Sequence, residues 1–158
     1  MARQKSAGIL LYRRRQGSIE VYLAHPGGPY FRKKHEGYWG IPKGLVDPEE
    51  READAAAREF AEETGFNPPE PEHDLGSCRL KSGKEVHAYA AEWPEPDDPP
   101  ALRSNTFELE WPPKSGERQE FPEIDRVSFF PIDRARDLIN AEQSVFLDRL
   151  EERFRATG

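Results

Sequence analysis

The chain carries one cysteine, Cys78, so no disulfide can close within it. A reducing, cytoplasmic setting is expected. No apolar run approaches the ~20 residues that span a bilayer. The opening residues MARQKSAG also lack the apolar segment of a secretory signal, so no membrane association is expected. Positive charge is in deficit: 23 Lys and Arg against 30 Asp and Glu leave a formal charge of −7. That balance argues against nucleic-acid binding through a broad basic face. Apolar residues, at 35% against 34% charged, leave little apolar surface beyond one core. With 158 residues and no internal repeat, a single domain over 1–158 is expected.

What the chain has in excess is carboxylate, and its most unusual arrangement lies in residues 44–66, GLVDPEEREADAAAREFAEETGF. Glu59, Glu62 and Glu63 stand at i, i+3 and i+4, so a helix sets them on one face within reach of each other. Like charges at that spacing destabilise a helix. They also fall in the last turn before Gly65, a natural helix-ending residue, where the negative end of the dipole disfavours carboxylates further. Ala53, Ala56, Ala57 and Phe60 supply a buried-looking face beside them. Three carboxylates converging at the wrong end of a helix suit a hard divalent cation with oxygen ligands.

The stretch fills every specified position of G-x5-E-x7-R-E-hydrophobic-x-E-E-x-G-hydrophobic, with Gly44, Glu50, Arg58, Glu59, Phe60, Glu62, Glu63, Gly65 and Phe66. This pattern resembles the Nudix box, the signature of hydrolases acting on nucleoside diphosphates linked to another moiety. The resemblance implies an α/β fold, a Nudix-type α/β/α sandwich with a mixed β-sheet. It implies Mg²⁺, with Mn²⁺ as the alternative, held by Glu59, Glu62, Glu63 and the backbone carbonyl of Lys43. Arg58 would hold Glu50 and the catalytic carboxylates in place. A further acid, ligand or general base, is implied in a later loop, with Glu123 the first choice and Glu120 the second. The preceding YWGIPKG, of form W-x-x-P-K-G, is similar to the approach to this helix in dinucleoside polyphosphate hydrolases.

The rest of the chain reads as short elements. Ala7–Tyr12 and Ile19–Ala24 form an early hairpin, with Arg13, Arg14, Arg15 and Gly17 read as a solvated turn. His25–Tyr38 is a loop rich in Gly, Pro and basic residues. Its His25 and His35 read as structural or exposed rather than catalytic. Asp47-Pro48-Glu49-Glu50 reads as a capping box opening the helix, whereas the family resemblance starts the helix a few residues later. Leu75–Leu80 and Glu85–Trp93 form a second hairpin around Lys81–Lys84. In its second strand Val86, Ala88 and Ala90 face one side, and His87, Tyr89 and Ala91 the other. Pro94–Ala101 is a loop, and Phe107, Leu109 and Trp111 alternate with Glu108 and Glu110 in a strand ended by Pro112-Pro113. That excursion reads as either an active-site flap or a dimer contact, which leaves a homodimer open. A last strand runs to Phe130, then a helix opens at Pro131 and Asp133. Phe146, Leu147, Leu150 and Phe154 form the stripe of a C-terminal helix.

Substrate contacts are expected from Lys43 and from Lys34, with Arg32 and Lys33 beside it. Trp39 is a stacking platform or core, and Tyr89 on its strand is the second stacking candidate. The function expected is Mg²⁺-dependent hydrolysis of a small nucleotide at a pyrophosphate linkage, a dinucleoside polyphosphate of the diadenosine tetraphosphate kind. The alternatives are a pyrophosphatase for (oxidised) nucleoside triphosphates and a catalytically silent nucleotide sensor.

Overall fold

The run AGILLY becomes the centre of β1 (Lys5–Arg15). A computed structural model describes residues 4–94 and 96–157; residues 1–3, Glu95 within the Pro94–Ala101 loop and Gly158 lie outside the described residues. β1 is covered on both faces, which calls for a continuous apolar run rather than alternation. Ala7, Ile9 and Leu11 pack toward helix α1 (Glu52–Thr64), and Leu10 and Tyr12 toward helices α2 (Ile132–Leu138) and α3 (Ser144–Thr157).

The main sheet adds β2 (Ser18–Pro26), β3 (Lys43–Leu45), β4 (His73–Arg79), β5 (Glu85–Glu92) and β8 (Ile124–Pro131), in the order β4-β5-β1-β2-β8 with β3 also on β1. β1 pairs in parallel with β5 and antiparallel with β2 and β3, so the sheet is mixed. With α1 on one face and α2 and α3 on the other, the layers are α/β/α. The remaining strands, β6 (Thr106–Glu110) and β7 (Arg118–Pro122), form a separate two-stranded ribbon. None of the described helices is long and apolar enough to cross a membrane.

Two local expectations change. The turn after β1 is only Gln16 and Gly17, at φ 52° and 79°, the pair of positive values that a tight hairpin turn requires. Arg13, Arg14 and Arg15 therefore finish the strand instead of forming the turn. Arg13 bonds Glu20 at 2.7 Å and Asp98 at 2.8 Å, and Arg14 bonds Glu92 at 3.2 Å. The capping box is also absent: α1 starts at Glu52 after Arg51, with no side-chain cap. Glu50 stays in a turn, its N–H donating to Asp47 O at 3.0 Å, because its carboxylate is held by Arg58. The later helix start, implied by the family resemblance, is the one observed.

Phe60 anchors α1. It is fully buried, with ring centroids 6.0 Å from Tyr22 and 5.2 Å from Phe66. Phe60→Ala is expected to cost ~3–5 kcal/mol in chemical denaturation. A loss well below ~1 kcal/mol would show that α1 is held by something other than this aromatic cluster.

Candidate active site

The C-terminal half of α1 is pressed against β3 at a glycine. A Cβ placed on Gly44 would lie 2.0 Å from the Glu59 carboxylate, so only glycine lets strand and helix approach this closely. One residue earlier, the Lys43 N–H donates to Glu63 Oε2 at 2.7 Å. On its other side this segment meets Gly8 of β1, where a Cβ would lie 2.6 Å from Pro42 O. The WGIPKG segment is thus wedged between the central strand and the carboxylates.

Arg58 organises the remaining acids. Its Nε and Nη2 donate to the two oxygens of Glu50 at 2.9 and 3.0 Å. Its Nη1 reaches Glu59 at 2.9 Å and Glu62 at 3.3 Å, and Nη2 also donates to Leu45 O at 3.0 Å. The planar fork therefore ties the loop, β3 and two turns of the helix. It holds the Glu50 carboxyl below its ordinary range.

Glu63 has no such partner: among the described residues no side-chain cation bonds it. Burial pushes its carboxyl up to about 8. The Lys43 N–H and ammonium oppose that rise, and the charges of Glu59 and Glu123 add to it. Glu59 is raised too, by burial and then by Glu62, with Arg58 opposing. The half-buried Lys43 ammonium is lowered by burial, and the like charge of Lys84 pushes the same way. Lys84 belongs to the β4–β5 hairpin turn, where a lysine reads as solvated, so the sequence pattern carried no signal of its approach to Lys43.

The end of α1 is closed by the chain leading into the ribbon. Arg103 N–H donates to Thr64 O at 2.8 Å and Asn105 N–H to Glu62 O at 3.1 Å, satisfying carbonyls that a helix end leaves open. Asn105 O in turn accepts from Glu123 N–H at 2.9 Å, and Glu123 O accepts from Gly27 N–H at 2.9 Å. Glu123 is thereby brought within electrostatic range of Glu63, while its carboxylate has no hydrogen bond or ion pair among the described residues. Glu120 is engaged elsewhere, accepting from Thr106 Oγ1 at 2.9 Å on the ribbon.

Two expected stacking residues are not available for that role. Trp39 is a core residue, packed edge-on against Phe130 at 5.0 Å and His25 at 5.2 Å. Tyr89 lies flat on His87, with centroids 4.6 Å apart. His87 pairs with Glu52 at the first turn of α1, ~16 Å of helix rise from Glu63. Lys34 remains exposed, its ammonium 5.3 Å above the Tyr38 ring. His25 is structural, buried between Asp125 and the Lys34 carbonyl.

Divalent cations suit this donor set in kind. Glu59, Glu62, Glu63 and the Lys43 carbonyl offer oxygen only, and the raised carboxyl of Glu63 marks a buried site short of positive charge. The side chains are not gathered for chelation, because Arg58 engages Glu59 and Glu62. Among the described residues no group of three His, Cys, Asp or Glu side chains is arranged to hold an ion.

The NUDIX domain family matches residues 2–150. Among curated proteins, the bis(5'-nucleosyl)-tetraphosphatase (asymmetrical) of Caenorhabditis elegans is 42% identical over 62 residues. Those residues are 39% of this chain, and the match spans only 41% of that relative's length. A C. elegans Ap4A hydrolase binary complex superposes with a TM-score of 0.68 at 24% identity, covering 98% of this chain and 99% of that one. The NUDIX domain of Shewanella oneidensis NrtR complexed with ADP ribose gives 0.64 at 18% identity, over 98% and 90%. A MutT protein from Methanosarcina mazei Go1 gives 0.63 at 18%, over 96% and 95%. At these identities the structural likeness is one of fold.

The state of Glu63 has a measurable consequence in cation-free buffer. Its carboxyl titrates near the ordinary 4.5 when unfolded and at about 8 when folded. Between those values the folded chain binds the extra proton, so stability present below pH ~4.5 is lost as pH rises through ~8. Urea denaturation in EDTA should therefore show lower stability at pH 8.5 than at pH 6, by on the order of 2–3 kcal/mol at most. Glu63→Gln should flatten that slope and exceed the parent in stability at pH 8.5. An unchanged slope in the variant would mean that Glu63 is solvated and ordinary.

Proposed function

This chain belongs to the Nudix family, and from that membership we propose that it is a pyrophosphohydrolase acting on dinucleoside polyphosphates of the diadenosine tetraphosphate kind. The observation that carries the reading is Glu63, half-buried on the Lys43 N–H beside Glu59, with the free carboxylate of Glu123 and the Lys43 ammonium in electrostatic range and Lys84 in range of Lys43. A carboxylate kept short of positive charge, next to cations suited to phosphate oxygens, fits phosphoanhydride hydrolysis better than it fits a stable helix end.

In the proposed reaction a water oxygen attacks phosphorus in line and the bridging oxygen leaves with its electron pair on the departing phosphate. Mg²⁺ at Glu59, Glu62, Glu63 and the Lys43 carbonyl would supply screening of the charge on the phosphoryl oxygens. Glu123 takes the proton of the attacking water: its backbone is pinned on both sides and its carboxylate is free to accept. Lys43 and Lys84 meet the phosphate chain as point charges, and Lys34 extends that grip along the loop. Arg58 is a positioning residue, fixing Glu59 and Glu62 relative to β3. A reducing cytoplasm suits the unpaired, half-buried Cys78.

A second reading, a nucleoside triphosphate pyrophosphatase, is favoured by one cavity. It has a volume of about 470 Å³ and is lined by Tyr22, Leu102, Asp125, Arg126 and Phe129, with Asp125 two residues along the chain from Glu123. The Tyr22 hydroxyl is buried there without a partner. A single base could enter it.

Products separate the two readings. Incubated with Mg²⁺, the protein should convert diadenosine tetraphosphate to ATP and AMP with a higher kcat/KM than it shows for ATP. A preference for ATP, with AMP and pyrophosphate released, would transfer the assignment to the triphosphate reading. No turnover of any phosphoanhydride would leave only a nucleotide sensor.

The box residues should respond differently to conservative changes. Glu59→Gln and Glu63→Gln should each lower kcat ~100-fold or more while the protein stays folded. Arg58→Lys should lower it ~10-fold despite keeping the charge, because an ammonium cannot reproduce the fork. Wild-type turnover in Glu63→Gln at saturating Mg²⁺ would remove Glu63 from the reaction.

A further inference from the structure

Large aromatic side chains are rarely left in water, yet Tyr30, Phe31 and Tyr38 are 55%, 38% and 41% exposed. All three sit in the loop between β2 and β3. The same loop carries Arg32, Lys33 and Lys34, none of which forms an ion pair among the described residues. In a chain of net charge −7 this is a local concentration of unpaired cations interleaved with rings. Such interleaving is suited to phosphates alternating with planar bases.

The loop is fixed to the ribbon rather than hanging free. A Cβ on Gly27 would lie 2.0 Å from Pro122 O, and one on Gly28, at φ 96°, would meet the Phe107 ring at 3.0 Å. At its far end the buried His25 donates from Nε2 to the Lys34 carbonyl. Held in this way, Tyr30 meets Trp111 edge-to-face, with centroids 5.3 Å apart. Trp111 follows β6, whose base is the Asn105 that bonds both Glu62 and Glu123. β6 rises ~17 Å from Thr106 to Trp111, so the aromatic pair stands at the opposite end of the ribbon from the Asn105 that bonds Glu62 and Glu123. A nucleoside attached directly to the cleaved phosphate does not extend that far. A nucleoside at the distal end of a polyphosphate chain does.

We propose that Tyr30 and Trp111 form the stacking platform for the second nucleoside of a dinucleoside polyphosphate, with Arg32, Lys33 and Lys34 along its phosphate chain. This rests on the pyrophosphohydrolase reading and names the half of the substrate that a nucleoside triphosphate lacks. The ribbon between Asn105 and Glu123 is then a specificity element, one piece carrying both the proton acceptor and the distal platform.

Isothermal titration calorimetry in EDTA tests the platform without turnover, with diadenosine tetraphosphate and ATP as ligands. Wild-type protein should bind diadenosine tetraphosphate more tightly than ATP. Trp111→Leu and Tyr30→Ala should each weaken diadenosine tetraphosphate ~10-fold and leave ATP within about twofold. Trp111→Phe, which keeps a ring, should stay close to wild type, and an unchanged Tm shows that each variant is folded. Equal loss for both ligands, no loss for either, or no wild-type preference would each overturn the platform. Turnover measurements fail separately: a protein that binds as expected but cleaves nothing keeps the platform and loses the pyrophosphohydrolase reading.

Discussion

The contact between the Lys43 N–H and the Glu63 carboxylate, closed over by Gly44, constrains much of what surrounds it. Burying a carboxylate is costly, and one charge-assisted hydrogen bond from a neutral amide recovers only part of that cost. The deficit appears as the raised carboxyl of Glu63. The deficit persists because the apolar packing behind it is extensive: Phe60, Ala55 and Ala56 are fully buried against β1. The stable layer holds the helix, and the helix holds an arrangement that its own electrostatics oppose.

Arg58 shows how the same helix keeps that opposition local. Glu59 and Glu62 repel each other, but each lies within hydrogen-bond reach of one guanidinium group, which is also committed to Glu50 and Leu45 O. A cation arriving at Glu63 therefore meets one carboxylate bonded by no side-chain cation and two that share a single guanidinium with Glu50. The balance differs between neighbouring glutamates of one motif because Arg58 reaches Glu59 and Glu62, whereas Glu63 is held by the Lys43 N–H of β3.

Reading the chain from its residues succeeded where one local rule governed the outcome. The run AGILLY announced a strand, and the alternation of Val86, Ala88 and Ala90 against His87, Tyr89 and Ala91 set the faces of β5 correctly. The stripe of Phe146, Leu147 and Leu150 marked the C-terminal helix. It failed where tertiary contacts decided. Asp47 has the chemistry of a helix cap, but Arg58 takes Glu50 and the helix starts later. β3 has only three residues, too short for a period, and exists because Gly8 lets Pro42 approach β1. The parallel pairing of β1 with β5 joins segments seventy or more residues apart, a choice that no local pattern encodes. At the site, the box was legible as chemistry, Glu123 entered only through the family resemblance beside Glu120, and their mutual placement was not legible. Trp39 took the core alternative and Tyr89 stacks on His87, which aromatic type alone does not decide, whereas the exposed Tyr30, Phe31 and Tyr38 looked like an ordinary glycine-rich loop.

An acidic protein that handles an anionic substrate must separate its charges in space, and the fold does this by sequence distance. Besides Arg58, cations come from different connections: Lys43 before the helix, Lys84 in a hairpin turn within electrostatic range of Lys43, and Arg32 to Lys34 in the β2–β3 loop. β3 is inserted beside β1, which places Lys43, and Gly27 and Gly28 let the β2–β3 loop seat on the ribbon. The ribbon contributes to the site through its base, where Asn105 links Glu62 to Glu123, and through its far end, where Trp111 meets Tyr30. A chain with the same box but no ribbon would keep the carboxylates and lose both the fixed backbone of Glu123 and the distant ring. The box thus specifies the chemistry, while the geometry of the ribbon bears on how long a substrate the chemistry can receive.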